Sequence, residues 1–164
     1  MKTCLVGCGG IAAVHGSVLT SGIDTEFVAA ADIKPEKAQT YAENFHTKPY
    51  PSLESMLEAE KPDVLHICTP HYLHVPMAIY SLERNINVFM EKPPAISFDQ
   101  LEELKKAAAK SEAQLGFCYQ NRYNASIRAA KDLIDSGKAG KVLGARAFVT
   151  WCRGAAYYTE SGWR

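Results

Sequence analysis

The stretch Gly7-Cys8-Gly9-Gly10-Ile11-Ala12 constrains this chain more than any other. It follows a short apolar run, Lys2–Val6, and opens a helix-like stretch from Ile11 to about Leu19. A second apolar run, Phe27–Ala31, ends on Asp32. Strand, glycine turn, helix, strand and terminal acid, in that order, predict a dinucleotide-binding unit. Gly7 suits the tight turn out of the strand. Gly9, lacking a Cβ, lets the backbone approach a pyrophosphate. Ala12 is small enough for the helix to pack against the strand. Free N–H groups and the helix dipole favour anionic phosphates at the helix start, where Cys8, Gly10 and Ile11 lie.

Asp32 lies 20 residues after Ala12, close to the ~20-residue spacing of the fingerprint. Its carboxylate accepts hydrogen bonds from a ribose diol and repels a 2′-phosphate. The reading therefore favours NAD over NADP, with Lys34 near enough to soften the preference. S-adenosylmethionine sites also combine a glycine turn with an acid and stand as the alternative. A secretory leader is a poorer reading of Met1–Val14. Three glycines make a poor signal helix, and cleavage would delete the element that explains Asp32.

Length and charge narrow the class. A chain of 164 residues holds one full domain and part of a second. Basic and acidic residues balance at 18 each, which argues against nucleic acid or a polybasic membrane contact. No apolar run approaches the ~20 residues of a membrane span. The five cysteines are scattered, without a C-x-x-C pair. Reduced, buried thiols in a cytoplasmic protein are the expectation.

Alternation of strand and helix continues down the chain. Pro35–Phe45 is read as an amphipathic helix, Thr47–Tyr50 as a brief strand and Ser52–Glu60 as a short helix. Val64–Cys68 suits a central parallel strand and runs into Thr69-Pro70-His71. A helix from about His74 to Arg84 follows, then strand Asn87–Met90 and Glu91-Lys92-Pro93-Pro94. Ser97 and Gln100 form a capping box for a helix whose inward stripe is Leu101, Leu104, Ala107 and Ala108. Gln114–Cys118 is a last strand of this kind. The pattern predicts a doubly wound parallel α/β sheet, a Rossmann fold, with its working edge at the strand carboxyl ends. Asp32, Thr69, His71, Glu91, Lys92 and Gln120 fall on that edge.

The composition changes near residues 119–124. We expect domains at 1–120 and 121–164, the second being the start of an α+β unit with an antiparallel sheet. Helix Asn124–Ser136 would turn Ile127, Ala130, Leu133 and Ile134 inward, with Gly137 as its C-cap. Val142–Trp151 alternates with period two and reads as a strand. Its unpaired edges would favour a homo-oligomer, a dimer paired through that strand.

The glycine turn, Asp32, Cys68-Thr69-Pro70-His71-Tyr72-Leu73-His74, Glu91-Lys92-Pro93 and Asn121-Arg122-Tyr123 together resemble the Gfo/Idh/MocA oxidoreductases, relatives of glucose-fructose oxidoreductase and inositol dehydrogenase. The resemblance covers the chain from end to end, and Glu-Lys-Pro is its most specific motif. It implies that the glycine turn and Asp32 hold the adenosine half of NAD. Thr69 and Pro70 would line the cleft. Lys92 would stand between nicotinamide ribose and the hydroxyl of a sugar, polyol or related substrate, with Glu91 and Gln120 near the nicotinamide. Such enzymes commonly carry Asn where His71 stands here. They continue into a second domain bearing an Asp and a His that complete the catalytic site. Trp163-Arg164 resembles the residues shortly before it. The chain thus looks like the N-terminal part of such an enzyme, binding NAD without full activity. A non-catalytic NAD-sensing module is the second reading.

Several side chains have plainer readings beside the functional ones. Lys92 outside its motif is an ordinary surface lysine; within it, it is the candidate catalytic residue that exchanges a proton with the hydroxyl. His71 and His74 are three residues apart without a third ligand, so no metal is expected. His74 is read as a residue near the cofactor or a helix cap, and His66 as a hydrogen-bonded core histidine. His15 faces the cleft or solvent. Arg122 reaches substrate or cofactor, or pairs with an acid. Tyr157, Tyr158 and Trp163 offer aromatic faces to a sugar, or lie exposed.

Overall fold

The structure is a computed structural model and describes residues 1–22 and 24–159. The chain divides into two compact units, Met1–Cys118 and Tyr119–Arg164.

The first unit alternates strands β1 (Lys2–Val6), β2 (Glu26–Ala31), β3 (Lys48–Tyr50), β4 (Val64–Ile67), β5 (Asn87–Glu91) and β6 (Leu115–Cys118) with helices. The helices are α1 (Gly10–Leu19), α2 (Pro35–Phe45), α3 (Leu53–Glu60), α4 (His74–Leu82) and α5 (Phe98–Lys110). The strands form one six-stranded parallel sheet in the order β3-β2-β1-β4-β5-β6. Strand order reverses between β1 and β4, so the crossovers leave in opposite directions there and a crevice opens beyond their carboxyl ends. The doubly wound Rossmann sheet read from the sequence is the fold of this unit.

The strands are short apolar runs because both faces are covered. Cys4, Leu5, Ala29, Ala30, Leu65, Ile67, Val88 and Met90 are nearly or wholly excluded from solvent. Ala38, Tyr41 and Ala42 of α2, and Leu53, Met56 and Leu57 of α3, are buried as their spacing predicts. In α5 Leu104 is the one fully buried member of the stripe. The Ser97 hydroxyl accepts the Gln100 N–H at 3.2 Å, and the Gln100 side chain accepts the Ile96 N–H at 3.2 Å. The capping box thus closes one residue earlier than its usual form.

One contact in α1 carries the packing of two helices. A Cβ at Gly16 would lie 2.6 Å from the Tyr41 hydroxyl and 2.7 Å from Phe45. The absent side chain is what lets α2 approach, and the Tyr41 hydroxyl then donates to the Ala12 carbonyl at 2.7 Å.

The second unit departs from expectation. It contains α6 (Ala125–Asp135) and α7 (Ala155–Thr159). Residues 142–151 form no strand. Period two marks residues able to line a sheet, but a strand needs a neighbour for its ladder, and none is present among the described residues of this unit. The α6 stripe forms, yet Ile127, Leu133 and Ile134 remain 51 %, 50 % and 48 % exposed; nothing among the described residues of the unit covers them. Gly137 caps α6 at positive φ, with its N–H on the Ile134 carbonyl. Tyr157 and Tyr158 are exposed on α7, and Trp163-Arg164 lies outside the described residues.

At the amino edge of the sheet Glu60 accepts from Lys2 at 3.0 Å, Lys48 at 2.9 Å and Tyr50 at 2.6 Å. The Tyr50 hydroxyl and the two ammonium groups hold its pKa at about 2, against an ordinary 4.5. This depressed carboxylate adds stability that is complete above pH 4.5 and fades as pH falls toward 2. We expect Glu60→Gln to cost about 1–2 kcal/mol at pH 7, since both lysines are partly solvated. The deficit should shrink between pH 4.5 and 2, as followed by urea unfolding of both proteins.

Candidate functional site

Gly7 is where the fold and the site meet. It leaves β1 at φ +92°, a conformation reserved for glycine. A Cβ there would lie 2.7 Å from the Cys68 carbonyl carbon and 2.8 Å from the Thr69 nitrogen. The turn after β1 therefore presses backbone to backbone against the exit of β4. The Gly7 N–H donates to the Ala31 carbonyl at 2.8 Å, which fixes the turn against β2 as well. Around Gly9 and Gly10, by contrast, a Cβ would meet nothing within 4 Å. The turn is closed on its protein side and open on the other. Gly9 is the N-cap of α1 without a side-chain partner, so the first N–H groups of that helix are left for a ligand or water.

Asp32, half-buried at the end of β2, accepts the Cys8 N–H at 2.9 Å and the Lys34 N–H at 2.9 Å, one on each oxygen. A carboxylate has about four lone-pair positions, so acceptor capacity remains. Cys8 is half-buried beside Asp32. Burial, then the Asp32 charge, push its thiol up to about 12. Ile11 is 40 % exposed and Ala12 fully buried.

Beyond β4, Thr69 is nearly buried and its hydroxyl reaches the Met77 sulfur at 3.6 Å. Pro70 leads into a 3₁₀ turn, His71–Leu73. His71 stacks edge-on to His74, ring centroids 5.6 Å apart. His74 is fully buried, where sequence allowed a cap or a cleft residue. Its ring spans the Thr69 carbonyl at 2.9 Å and the Pro93 carbonyl at 2.8 Å. It ties the exit of β4 to the turn after β5. Lys92 is exposed on that turn, and the Lys92–Pro93 peptide is cis. Gln120 and Arg122 belong to a 3₁₀ turn, Gln120–Tyr123, in the second unit.

Glu91 ends β5 inside a group the sequence did not assemble. Its Oε1 lies 3.1 Å from His15 Nε2, and His15 Nδ1 lies 2.9 Å from His66 Nδ1. Its Oε2 accepts the Lys92 N–H at 3.3 Å. Burial works against the Glu91 charge, but hydrogen bonds from His15, Cys118 and Lys92 outweigh it and lower the pKa. His66 is the hydrogen-bonded core histidine expected, held down to about 4 by burial and by His15. His15 turns out to be 6 % exposed, facing the sheet rather than solvent. His15 and Glu91 are 76 residues apart, so the sequence signal was limited to a histidine on the inner face of α1. His15, Glu91 and Cys118 place three metal-ligand atoms within 4.8 Å. His71 and His74 join no such group among the described residues.

Concavity by itself points elsewhere. A groove of about 480 Å³ between α4 and α5 is lined by Leu82, Asn85, Glu103 and Ser111. Asn85 and Ser111 precede β5 and β6, so that groove lies toward the amino edge of the sheet, away from the glycine turn. The carboxyl edge is where polar groups converge, and we place the candidate site there on chemical grounds.

Comparison with known proteins agrees with the fold of the first unit. The family model described as "Oxidoreductase family, NAD-binding Rossmann fold" (Gfo/Idh/MocA) matches residues 1–119. The D-glucoside 3-dehydrogenase of Escherichia coli is 28 % identical over 99 % of this chain and 46 % of that enzyme. The inositol 2-dehydrogenase/D-chiro-inositol 3-dehydrogenase of Lacticaseibacillus casei is 28 % identical over 90 % of this chain and 44 % of its own length. The WlbA dehydrogenase of Bordetella pertussis, solved with NADH and UDP-GlcNAcA, superposes with a TM-score of 0.91 at 30 % identity. That match covers 99 % of this chain and 50 % of WlbA. The chain spans about half the length of the relatives it matches.

Gly7 and Gly9 should separate on substitution. Gly7→Ala forces both a strained φ and a backbone overlap, and should cost about 2–4 kcal/mol. Gly9→Ala meets open space and should stay within about 1 kcal/mol of the parent. Chemical denaturation of the two variants reads the difference; equal losses would contradict the contact described for Gly7.

Proposed function

The chain belongs to the Gfo/Idh/MocA oxidoreductase family, and from that premise we propose that its protein transfers a hydride between NAD and a hydroxyl-bearing carbon of a sugar, polyol or related compound. The observation that carries the proposal is the open side of the glycine turn. It faces the same sheet edge as Asp32, Thr69 and Lys92. Dehydrogenase relatives, among them the E. coli D-glucoside enzyme and the NADH-bound WlbA structure, support the reading.

The residues present fit a dinucleotide. Gly9 and Gly10 leave room for a pyrophosphate against the start of α1, and the N–H groups there are suitable donors. The free acceptor sites of Asp32 take the adenosine ribose diol. Its charge disfavours a 2′-phosphate, so NAD is preferred to NADP. Ile33, 81 % exposed beside it, offers an apolar surface to an adenine. Thr69, Pro70 and His71 bound the cleft beyond β4. The bound nicotinamide supplies the hydride acceptor or donor. Lys92 stands at the exit of β5 and exchanges a proton with the substrate hydroxyl. Glu91 fixes the backbone from which Lys92 projects. Gln120 and Arg122 are assigned to the nicotinamide and substrate ends by the family resemblance. This chain by itself binds NAD and turns over substrate weakly or not at all.

Calorimetric titration tests the assignment. The parent chain should bind NAD and NADH more tightly than NADP. Asp32→Ala should weaken NAD binding by about ten- to a hundredfold, equivalent to about 1.4–2.8 kcal/mol, and narrow the preference over NADP. No saturable binding of either NAD form by the folded parent chain would overturn the proposal.

A further inference from the structure

The inner face of α1 carries a polar group where the core-facing side of a helix ordinarily packs with apolar ones. His15 sits 6 % exposed on that face, and its partner Glu91 is 5 % exposed. The helix begins at the glycine turn; Glu91 ends β5 next to Lys92. One hydrogen-bonded carboxylate therefore spans the phosphate end and the chemical end of the proposed cleft. Oε1 takes His15 Nε2 at 3.1 Å, and Oε2 takes the Lys92 N–H at 3.3 Å.

The partners dictate where hydrogens lie. An ionised carboxylate only accepts, so His15 Nε2 carries N–H. The other nitrogen, Nδ1, lies 2.9 Å from His66 Nδ1, and one of the two must donate to the other. His66 on β4 thus holds the imidazole plane from behind. The ring is further enclosed by Phe89, with centroids 6.0 Å apart. A buried imidazole with both nitrogens engaged has a single orientation, and an unpaired member of such a group would be costly. Each of the three groups that could ligate a metal is already committed to this hydrogen-bonded chain.

We propose that His15 is a positioning residue: through Glu91 it holds the Lys92 backbone in register with the glycine turn, so that the two halves of a bound dinucleotide are received at a fixed separation. This rests on the NAD reading above. It predicts that loss of His15 harms recognition of the nicotinamide half and spares the adenosine half.

The test uses the 164-residue chain, with His15→Ala and His15→Gln, whose amide can still donate to Glu91. Thermal unfolding first shows that each variant folds. Calorimetry then compares NADH with ADP-ribose, which lacks the nicotinamide. His15→Ala should weaken NADH about tenfold and change ADP-ribose by less than about twofold. His15→Gln should recover most of the NADH affinity. In the unliganded proteins, nitrogen NMR should find the hydrogen on His15 Nε2. The Lys92 amide resonance should move in His15→Ala and return toward its parent position in His15→Gln. Equal losses for both ligands, no loss for either, or an unmoved Lys92 amide would overturn the inference. So would Zn²⁺ binding that displaces the His15 Nε2 hydrogen, since the cluster would then be a metal site. If the parent binds neither ligand, the NAD reading fails, and the Lys92 amide response still decides the coupling. If His15→Ala does not fold, the Gln variant decides: it must retain both NADH affinity and the Lys92 resonance.

Discussion

Everything at the carboxyl edge depends on two backbones touching. Gly7 and the Cys68–Thr69 peptide approach so closely that the space of one methyl group does not exist between them. That contact seals the crevice between β1 and β4 on the protein side. It also aims the following residues outward, so that a Cβ on Gly9 or Gly10 would meet nothing within 4 Å. Asp32 then steadies the turn by accepting the Cys8 N–H. A donor that would otherwise wait unpaired is satisfied beforehand, and the carboxylate is held by one N–H on each oxygen. Ordering the loop in advance lowers the entropy lost on binding.

Helix α1 distributes its work around its circumference. Ala12 and Gly16 form a small-residue strip that admits Tyr41 and Phe45 of α2. His15 points to the sheet and meets His66 and Glu91. Ile11, Val14 and Val18 remain exposed on a third side. A buried imidazole and carboxylate are tolerable here because each has partners on both sides; an isolated one would cost several kcal/mol. The same completeness makes the group directional. A carboxylate gripped at both oxygens has little freedom, and the peptide it grips belongs to Lys92.

The fold of residues 1–118 was legible because its signals are local. Apolar runs of four to six residues, Ser97 before Phe98, Pro35 at a helix start and the glycine turn each act within a few positions. What escaped depends on residues that meet only after folding. Gly16 reads as a defect in a helix until Tyr41 and Phe45 are seen against it. His15 could face either way until β5 supplies an acid 76 residues later. His74 is read as a cleft residue or a cap, and its burial between two carbonyls follows from the path of the turn after β5. In residues 142–151 the error ran the other way. Alternation is a property of a strand's faces, while its existence depends on a paired edge, and no such edge is present among the described residues of that unit. The α6 stripe teaches the same point for helices: periodicity identified the face but not what covers it.

Glu60 and Lys92, at opposite edges of the sheet unit, differ in how fully their charges are compensated. At the amino edge Glu60 gathers Lys2, Lys48 and Tyr50, and its depressed pKa marks a carboxylate whose charge is well compensated. At the carboxyl edge Lys92 is exposed, beside a Glu91 already committed to His15 and to the backbone. A charge that is fully paired in the resting protein stabilises it and has little left to give a substrate. A charge left toward solvent contributes little to stability and can respond to what arrives. Strand direction separates the two ends, so substitutions at Glu60 and at Lys92 should act on different properties. A parallel sheet thereby gathers compensated charge around Glu60 at its amino edge while the Lys92 side chain stays toward solvent at the other.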